Sequence, residues 1–145
     1  MSVGFGAVIP FVEHLGFTLA HFADGDSELH YAPRPEHLNS FEVLHGGACM
    51  TFLDVVMASA ARSIRPEWGV VTIEMKTSFM RPVQVTPGVA LRGIGRLLHG
   101  TRKTAFCEGR ILDAQGQVCA HATGTFKYVP RQPRDSHHPG AIATD

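Results

Sequence analysis

The sequence predicts an α+β domain in which an antiparallel sheet wraps around one long central helix. Its length of 145 residues is that of a single domain. Residues 48–64 form one long apolar segment with the character of a buried helix. Four segments typical of strands follow it, and a sheet that wraps one helix is the natural cover for a helix that is apolar on nearly all sides.

The N-terminal part predicts a short helix and a hairpin. Residues 7–15 predict the helix, and residues 17–33 predict the hairpin, with Asp24 and Gly25 as its turn. Prolines and Asn39 then mark a loop that runs to residue 47.

The central helix is predicted over residues 48–64. Of the fourteen residues from 48 to 61, only three are polar, namely Thr51, Asp54 and Ser59. Arg62 and Arg65 suit the negative end of the helix dipole, and Pro66 marks the stop.

After Gly69 the pattern changes to a period of two, which predicts a strand from Val71 to Phe79. Further strands are predicted over residues 88–98, 103–112 and 118–129. The breaks between them fall at residues 82–87, 99–100 and 113–116, and the last is typical of a tight hairpin. The predicted domain therefore spans residues 1–129. Residues 130–145 hold three prolines, two histidines and no periodicity, which predicts a disordered C-terminal tail.

The charge is balanced in total but divided along the chain. The formal net charge is zero, which argues against nucleic acid as a partner. Residues 1–60 carry a net charge of −6 and residues 61–145 carry +6, so an anionic small ligand stays compatible with the total. No apolar run reaches the ~20 residues of a membrane span, and we expect no membrane partner.

The N-terminal residues and the cysteines indicate the expected cellular location and whether a metal site is expected. The first residues lack the basic start and cleavage site of a signal peptide, so a cytoplasmic location is expected. The three cysteines, an odd number without a C-x-x-C pair, indicate reduced thiols rather than disulfides or a metal site.

Asp54 is the most unusual residue of the predicted helix. An unpaired carboxylate buried there would cost several kcal/mol. Pairing with Arg62 or exposure to solvent are the structural alternatives. Apolar residues flank Asp54 on both sides, which favours a carboxylate in a cleft or at a subunit interface, where such groups often act as bases or nucleophiles.

The residues directly before the predicted helix offer backbone N–H donors that could act together with the carboxylate. Gly46 and Gly47 let backbone approach a ligand closely, and the first N–H groups of a helix lack partners. Such groups can stabilise an oxyanion on an attacked carbonyl. His45 precedes them, and Asp54 follows His45 by nine residues.

Together, Asn39, the His45-Gly46-Gly47 triplet, Asp54 and the strand from Gly69 to Pro82 resemble one family at its own spacing. The family is that of hotdog-fold acyl-CoA thioesterases, of the phenylacetate-pathway (PaaI-like) and 4-hydroxybenzoyl-CoA type. The resemblance covers residues 16–129. It implies a hydrolase without metal or cofactor, and homodimers or dimer-of-dimers tetramers whose sites combine two subunits.

The resemblance also implies a role for each site residue. Asp54 is the general base or the nucleophile, and Gly46 supplies the N–H donor to the thioester oxygen. Asn39 helps to hold that carbonyl or its loop, Thr72 positions the water, and His45 orders the loop or orients the thioester. Where relatives often carry glycine after the asparagine, this chain has Phe41 and Glu42, so we expect its loop conformation to differ.

The substrate is expected to be an acyl-CoA or aryl-CoA, such as a phenylacetyl-CoA-like or medium-chain thioester. Candidate contacts to it are Gly47 and Phe79 and, for the CoA phosphates, Arg81, Arg102, Lys103 and Lys127. Two alternatives stay open. One is a 3-hydroxyacyl-thioester hydratase or dehydratase, although the His-Phe-Pro signature of such enzymes is absent. The other is an acyl-CoA-binding module without catalysis, for which no acid is needed.

Overall fold

The computed structural model describes residues 4–131, which form one sheet and one long helix. The helices are α1 (Pro10–Leu15) and α2 (Gly46–Arg62), with a short 3-10 helix over Pro35–His37. The strands are β1 (Thr18–Ala23), β2 (Asp26–Tyr31), β3 (Trp68–Phe79), β4 (Leu91–Gly100), β5 (Thr104–Leu112) and β6 (Val118–Pro130). All neighbours pair antiparallel in the order β1-β2-β4-β5-β6-β3. The predicted α+β class is confirmed.

Helix α2 packs closely against the sheet because glycines line the strands beneath it. A Cβ at Gly93 would lie 2.5 Å from Val56 Cγ2, and a Cβ at Gly95 would lie 2.5 Å from the Val56 carbonyl. Ser27 Oγ donates to that same carbonyl at 2.7 Å. The strand backbone therefore approaches α2 closely at these glycines, and α2 becomes the centre of the core.

Helix α2 begins and ends two residues earlier than residues 48–64. At its start, the His45 side chain accepts a hydrogen bond from the Gly47 N–H and caps the helix before Ala48. At its end, Ser63 Oγ donates to the Ala60 carbonyl as the chain leaves the helix. Side-chain caps set both boundaries, and periodicity alone does not reveal them.

Strand β4 is displaced from its prediction over residues 88–98. Gly88 adopts a φ of +78° in a turn closed by the Val89 N–H and the Thr86 carbonyl, so the strand begins only at Leu91. At the other end, His99 and Gly100 belong to the strand, and the break lies between Gly100 and Thr104. The hairpin predicted at residues 113–116 is present.

Strand β3 contains a β-bulge that disturbs its period-two pattern. Its register with β6 shifts between Thr72 and Glu74. Thr72 pairs with Phe126, which is fully buried under the helix, whereas Ile73 is 58% exposed. The regular alternation predicted from Val71 to Phe79 is therefore wrong at this point, because the bulge turns Thr72 towards α2.

The C-terminal boundary lies slightly later than predicted. Pro130 is the last residue of β6, and Arg131 donates to the carbonyls of Gly6 and Pro66. These two residues belong to the folded domain rather than to the tail. The rest of the predicted tail, residues 132–145, lies outside the described residues.

Candidate active site

Asp54 lies in the middle of α2 and is partly buried. Its Oδ1 accepts a hydrogen bond of 2.6 Å from Thr72 Oγ1. Within residues 4–131 no basic side chain forms an ion pair with it. Arg62, the structural alternative, donates instead to the carbonyls of Phe5, Pro66 and Trp68.

The surroundings of Asp54 make it more basic than an ordinary aspartate. Burial raises the pKa of Asp54, and the hydrogen bond from Thr72 offsets part of that rise. The β3 bulge is what directs Thr72 Oγ1 towards the helix. The result is a carboxylate with one donor and no counter-charge, which is suited to accepting a proton.

The start of α2 presents a free backbone donor. His45 Nδ1 accepts the Gly47 N–H at 2.8 Å, so this ring nitrogen carries no proton. A Cβ at Gly47 would lie 3.1 Å from the same nitrogen, and only glycine leaves the cap undistorted. The Gly46 N–H has no acceptor within residues 4–131. Gly46, rather than Gly47, therefore offers the donor for an oxyanion.

The pre-helix loop, residues 38–45, is held together by Asn39. The Asn39 Oδ1 accepts the N–H groups of Phe41 at 2.9 Å and Val43 at 3.3 Å. Between them, Glu42 adopts a φ of +60°, the left-handed conformation that favours glycine. The loop thus closes in the absence of the expected glycine, at the cost of a strained Glu42.

A pocket of about 410 Å³ opens beside the helix start. The Phe79 ring lies over Gly46, with its Cζ 3.7 Å from a Cβ built there. Arg81 also lines the pocket and donates to Gln117 Oε1. The remaining lining residues are mostly apolar: Asn39, Val43, Leu44, Cys49, Met80, Pro82 and Val83. An apolar pocket beside a free N–H suits a carbonyl that carries a hydrophobic group.

The four candidate phosphate contacts separate into two places. Lys127 pairs with Thr104, directly after the turn that carries Arg102 and Lys103. Arg81 instead follows the opposite end of β3. Val71 of β3 pairs with Lys127, and Phe79 ends β3 two residues before Arg81. Along β3, Val71 and Phe79 are about 26 Å apart. One chain therefore does not bring all four bases to a single phosphate.

Asp54 and Gly46 are also separated within one chain. Asp54 follows Gly46 by eight positions of the helix, or about 12 Å along the axis of α2. A single thioester carbonyl does not reach both groups.

Within the described residues, no three side chains of His, Cys, Asp or Glu gather in a group suited to a metal ion. No helix among residues 4–131 is long and apolar enough to cross a membrane.

The comparisons with known proteins bear on this geometry. The model of the thioesterase superfamily matches residues 41–120. Over 100 residues, the chain is 34% identical to a Caenorhabditis elegans protein whose name reads "Putative esterase". The chain belongs to the thioesterase superfamily. The alignment with the worm protein covers 68% of this chain and 57% of that relative.

Solved structures place this superfamily member among PaaI-like hotdog folds. A conserved protein of Pseudomonas aeruginosa is 26% identical, with a TM-score of 0.78 over 86% of this chain and 97% of that one. A variant of the phenylacetic acid degradation protein PaaI from Thermus thermophilus is 25% identical. Its TM-score is 0.73, covering 82% of this chain and 98% of that one. The sheet that wraps α2 is thus the hotdog arrangement.

Sequence reasoning missed three contributors to this site. They are the bulge that aims Thr72, the left-handed Glu42, and His37, whose carbonyl accepts the His45 N–H at 3.0 Å. A bulge and a positive φ have no signature in a sequence without glycine at those positions. His37 lies two residues before Asn39, and this proximity was the only available signal.

Proposed function

We propose that this superfamily member is an acyl-CoA thioesterase that hydrolyses an acyl-CoA or aryl-CoA to the free acid and CoA. The observation that carries the proposal is the Asp54–Thr72 pair, a partly buried carboxylate without a counter-charge. Asp54 acts on water as a general base, and the attack of that water breaks the C–S bond and releases CoA. Alternatively, Asp54 attacks the thioester carbon itself and expels CoA as its thiolate, which leaves an anhydride that water then hydrolyses to the free acid and Asp54. Neither route needs a metal or a cofactor.

The oxyanion that forms on the thioester carbonyl is stabilised at the start of α2. The Gly46 N–H donates to it, and the positive end of the helix dipole adds to the stabilisation. His45 holds the first turn of the helix through its Nδ1. Asn39 keeps the pre-helix loop closed around this donor.

The complete site combines two copies of the chain in a homodimer, or in a dimer of dimers. The separation of about 12 Å between Gly46 and Asp54 along one helix requires that the partner supply one of them. Strand β3, at the edge of the sheet, supports this pairing. It has twelve residues, and its apolar Ile73 and Phe79 are more than half exposed.

The pocket next to Gly46 is assigned to the substrate. Its apolar lining with Phe79 suits a medium-chain acyl group or an aryl group such as phenylacetyl. Arg81, Arg102, Lys103 and Lys127 are proposed to contact the CoA phosphates, with Arg81 in a different place from the other three.

Nucleic acid and membranes are not proposed as partners. The three buried, unpaired thiols support a reducing, cytoplasmic location.

The alternative functions fit the site less well. A hydratase or dehydratase of this fold carries a His-Phe-Pro signature, which this chain lacks, and the His45 ring is held in the helix cap through Nδ1. A binding module without catalysis has no use for a carboxylate whose pKa is raised by burial. Loss of water from a 3-hydroxyacyl thioester without thiol release would support the hydratase or dehydratase. Tight binding of an acyl-CoA without turnover would support the binding module.

The direct test is thiol release from a panel of acyl-CoA and aryl-CoA substrates. We expect Asp54→Asn to lower kcat/KM at least ~100-fold, the scale of a lost acid–base group. The matched control is Asp24→Asn, since Asp24 lies in an exposed turn with a φ of +56° that asparagine also tolerates. Equal turnover of both variants and wild type would overturn the assignment of Asp54.

The Asp54→Asn variant is expected to fold. Burial raises the pKa of Asp54 above its unfolded value, so the folded state loses stability as pH rises through this interval. Replacement by a neutral isostere removes that penalty, while Thr72 still finds an acceptor. At neutral pH the variant is therefore at least as stable as wild type, and lost activity cannot be ascribed to unfolding.

A further inference from the structure

The pre-helix loop is tied at both ends to the 3-10 helix that precedes it. The His37 carbonyl accepts the His45 N–H at 3.0 Å, and Leu38 and Leu44 form an antiparallel bridge. His45 is followed directly by Gly46, the proposed oxyanion donor. The position of His37 is thus transmitted through a single backbone hydrogen bond to the residue before this donor.

The His37 ring is itself fixed from the core side. It is 7% exposed, and its Nδ1 lies 2.7 Å from Tyr31 Oη and 3.1 Å from the Arg34 nitrogen. Because the Arg34 N–H only donates, Nδ1 is an acceptor and the ring proton is on Nε2. Tyr31 is fully buried and contacts the ring of Phe52 on α2, so this anchor reaches the central helix.

The other ring nitrogen has no partner. Within residues 4–131, His37 Nε2 is buried and forms no hydrogen bond. A buried donor without an acceptor destabilises the folded state, and an apolar residue in its place would avoid this penalty. Burial is also the main cause that lowers the pKa of His37, followed by the Arg34 charge, and this keeps the ring neutral as an acceptor. A costly group in such a place is typical of a functional position.

We propose that His37 is a positioning residue of the hydrolysis: its ring locks onto Tyr31 and the Arg34 N–H, and its carbonyl then holds His45 so that the Gly46 N–H faces the thioester oxygen. This inference rests on the proposed thioesterase function. His37 touches no reacting atom and acts only through the pre-helix loop. Its effect is therefore on the transition state, where the oxyanion forms, and less on substrate binding.

The test compares His37→Asn with His37→Leu. The Asn Oδ1 falls where Nδ1 lies and accepts both donors, whereas Leu fills the space without an acceptor. We expect the Asn variant to keep kcat within ~3-fold and the Leu variant to lose ~10–100-fold in kcat at nearly constant KM, since misplaced catalytic groups cost up to ~100-fold. A purely structural role would not separate kcat from KM, and Asn would not restore it.

A second variant keeps the test independent of folding. Tyr31→Phe removes one of the two donors to Nδ1, and we expect a smaller fall in kcat at constant KM. Unchanged kcat in folded His37→Leu, or in Tyr31→Phe if the Leu variant does not fold, would overturn the proposal. Equal losses in the Asn and Leu variants would also overturn it.

Amide hydrogen exchange separates failure of this inference from failure of the proposed function. If wild type releases no thiol from any substrate, the thioesterase proposal fails. The positioning proposal is then tested by exchange at the His45 amide, whose partner is the His37 carbonyl. Faster exchange there in His37→Leu than in wild type and His37→Asn supports it, and equal exchange in all three refutes it.

Discussion

At the scale of single residues, the site depends on two polar side chains in unusual surroundings. Asp54 lies on a helix whose neighbouring positions are apolar, and Thr72 is the one side chain that hydrogen-bonds to it among the described residues. Glu42, in the pre-helix loop, adopts a left-handed backbone conformation that is unfavourable for a residue with a Cβ. The burial of Asp54 and the backbone strain at Glu42 both lie in the proposed site, and such unfavourable features are common at functional positions.

The Thr72 contact predicts a specific change in pH dependence. Thr72→Val removes the hydrogen bond that favours the ionised Asp54, so the pKa of Asp54 rises further. Because the carboxylate is the active form, we expect the acid limb of the kcat/KM profile to move to higher pH. Thr72→Ser keeps the hydroxyl and is the control. Identical profiles for the Val and Ser variants would show that the hydroxyl does not set this ionisation.

Glu42 predicts a gain in stability. A residue with a Cβ in the left-handed region costs roughly 1–2 kcal/mol, and glycine avoids this cost while losing some chain entropy. We expect Glu42→Gly to raise the free energy of unfolding by about 0.5–1 kcal/mol in urea titrations. Glu42→Ala retains the Cβ and should give no such gain. An equal gain in both variants would identify the charge of Glu42, rather than its backbone, as the source.

At the scale of elements, the start of α2 and the edge strand β3 carry the proposed chemistry. His45 closes the helix start and leaves the N–H of Gly46 without an acceptor. The bulge of β3 directs Thr72 to the middle of the same helix. One helix thus offers an oxyanion donor at its first residue and a base near its centre.

Because Gly46 is the first residue of α2, its backbone N–H can be removed by substitution with proline without breaking the helix. Gly46 is the first helical residue, a position that proline favours, and His45 has the extended φ and ψ that precede proline. We expect Gly46→Pro to fold and to lose ~100–1,000-fold in kcat, the cost of one oxyanion donor. Gly46→Ala keeps the N–H and meets only an ordinary contact with Phe79, so it should retain most activity. Similar losses in both would indicate crowding of the pocket instead.

At the scale of the whole molecule, the fold mixes the two oppositely charged halves of the sequence. Strand β2, from the acidic half, lies beside β4, from the basic half, and Glu28 accepts a hydrogen bond of 2.8 Å from Arg92. Just after the end of α2, Arg65 donates to the Arg102 carbonyl, so the turn before β5 lies near this end of the helix. The −6 and +6 of the sequence are therefore partly neutralised across neighbouring strands.

The proposed two-subunit site predicts complementation between inactive variants. A mixed dimer of Gly46→Pro and Asp54→Asn chains contains one site with an intact donor and an intact base. Random mixing makes half of the dimers mixed, so we expect about one quarter of wild-type activity to return. The measurement is thiol release after the two purified variants are unfolded and refolded together, against each refolded alone. No recovery, with dimers confirmed by light scattering, would place both groups in one chain.

The sequence allowed much of this organisation to be predicted because its signals are local. The apolar segment with one carboxylate, Asp54, identified the central helix, and the glycines after His45 identified its start as a candidate oxyanion site. The resemblance named Thr72 as a site residue, and the structure adds that its hydroxyl donates a hydrogen bond to Asp54. The ends of α2 and β4 were displaced, because hydrogen bonds of single side chains and turn glycines set them.

What the sequence by itself determined is the fold class, the family and the acid on the central helix, since hydrophobic periodicity and motif spacing are properties of neighbouring residues. The tertiary structure alone decided which N–H stays free, which way Thr72 points and how His37 holds His45. These depend on contacts between segments that are distant in the chain. Their energies arise only when the sheet closes around α2, and no local pattern encodes them.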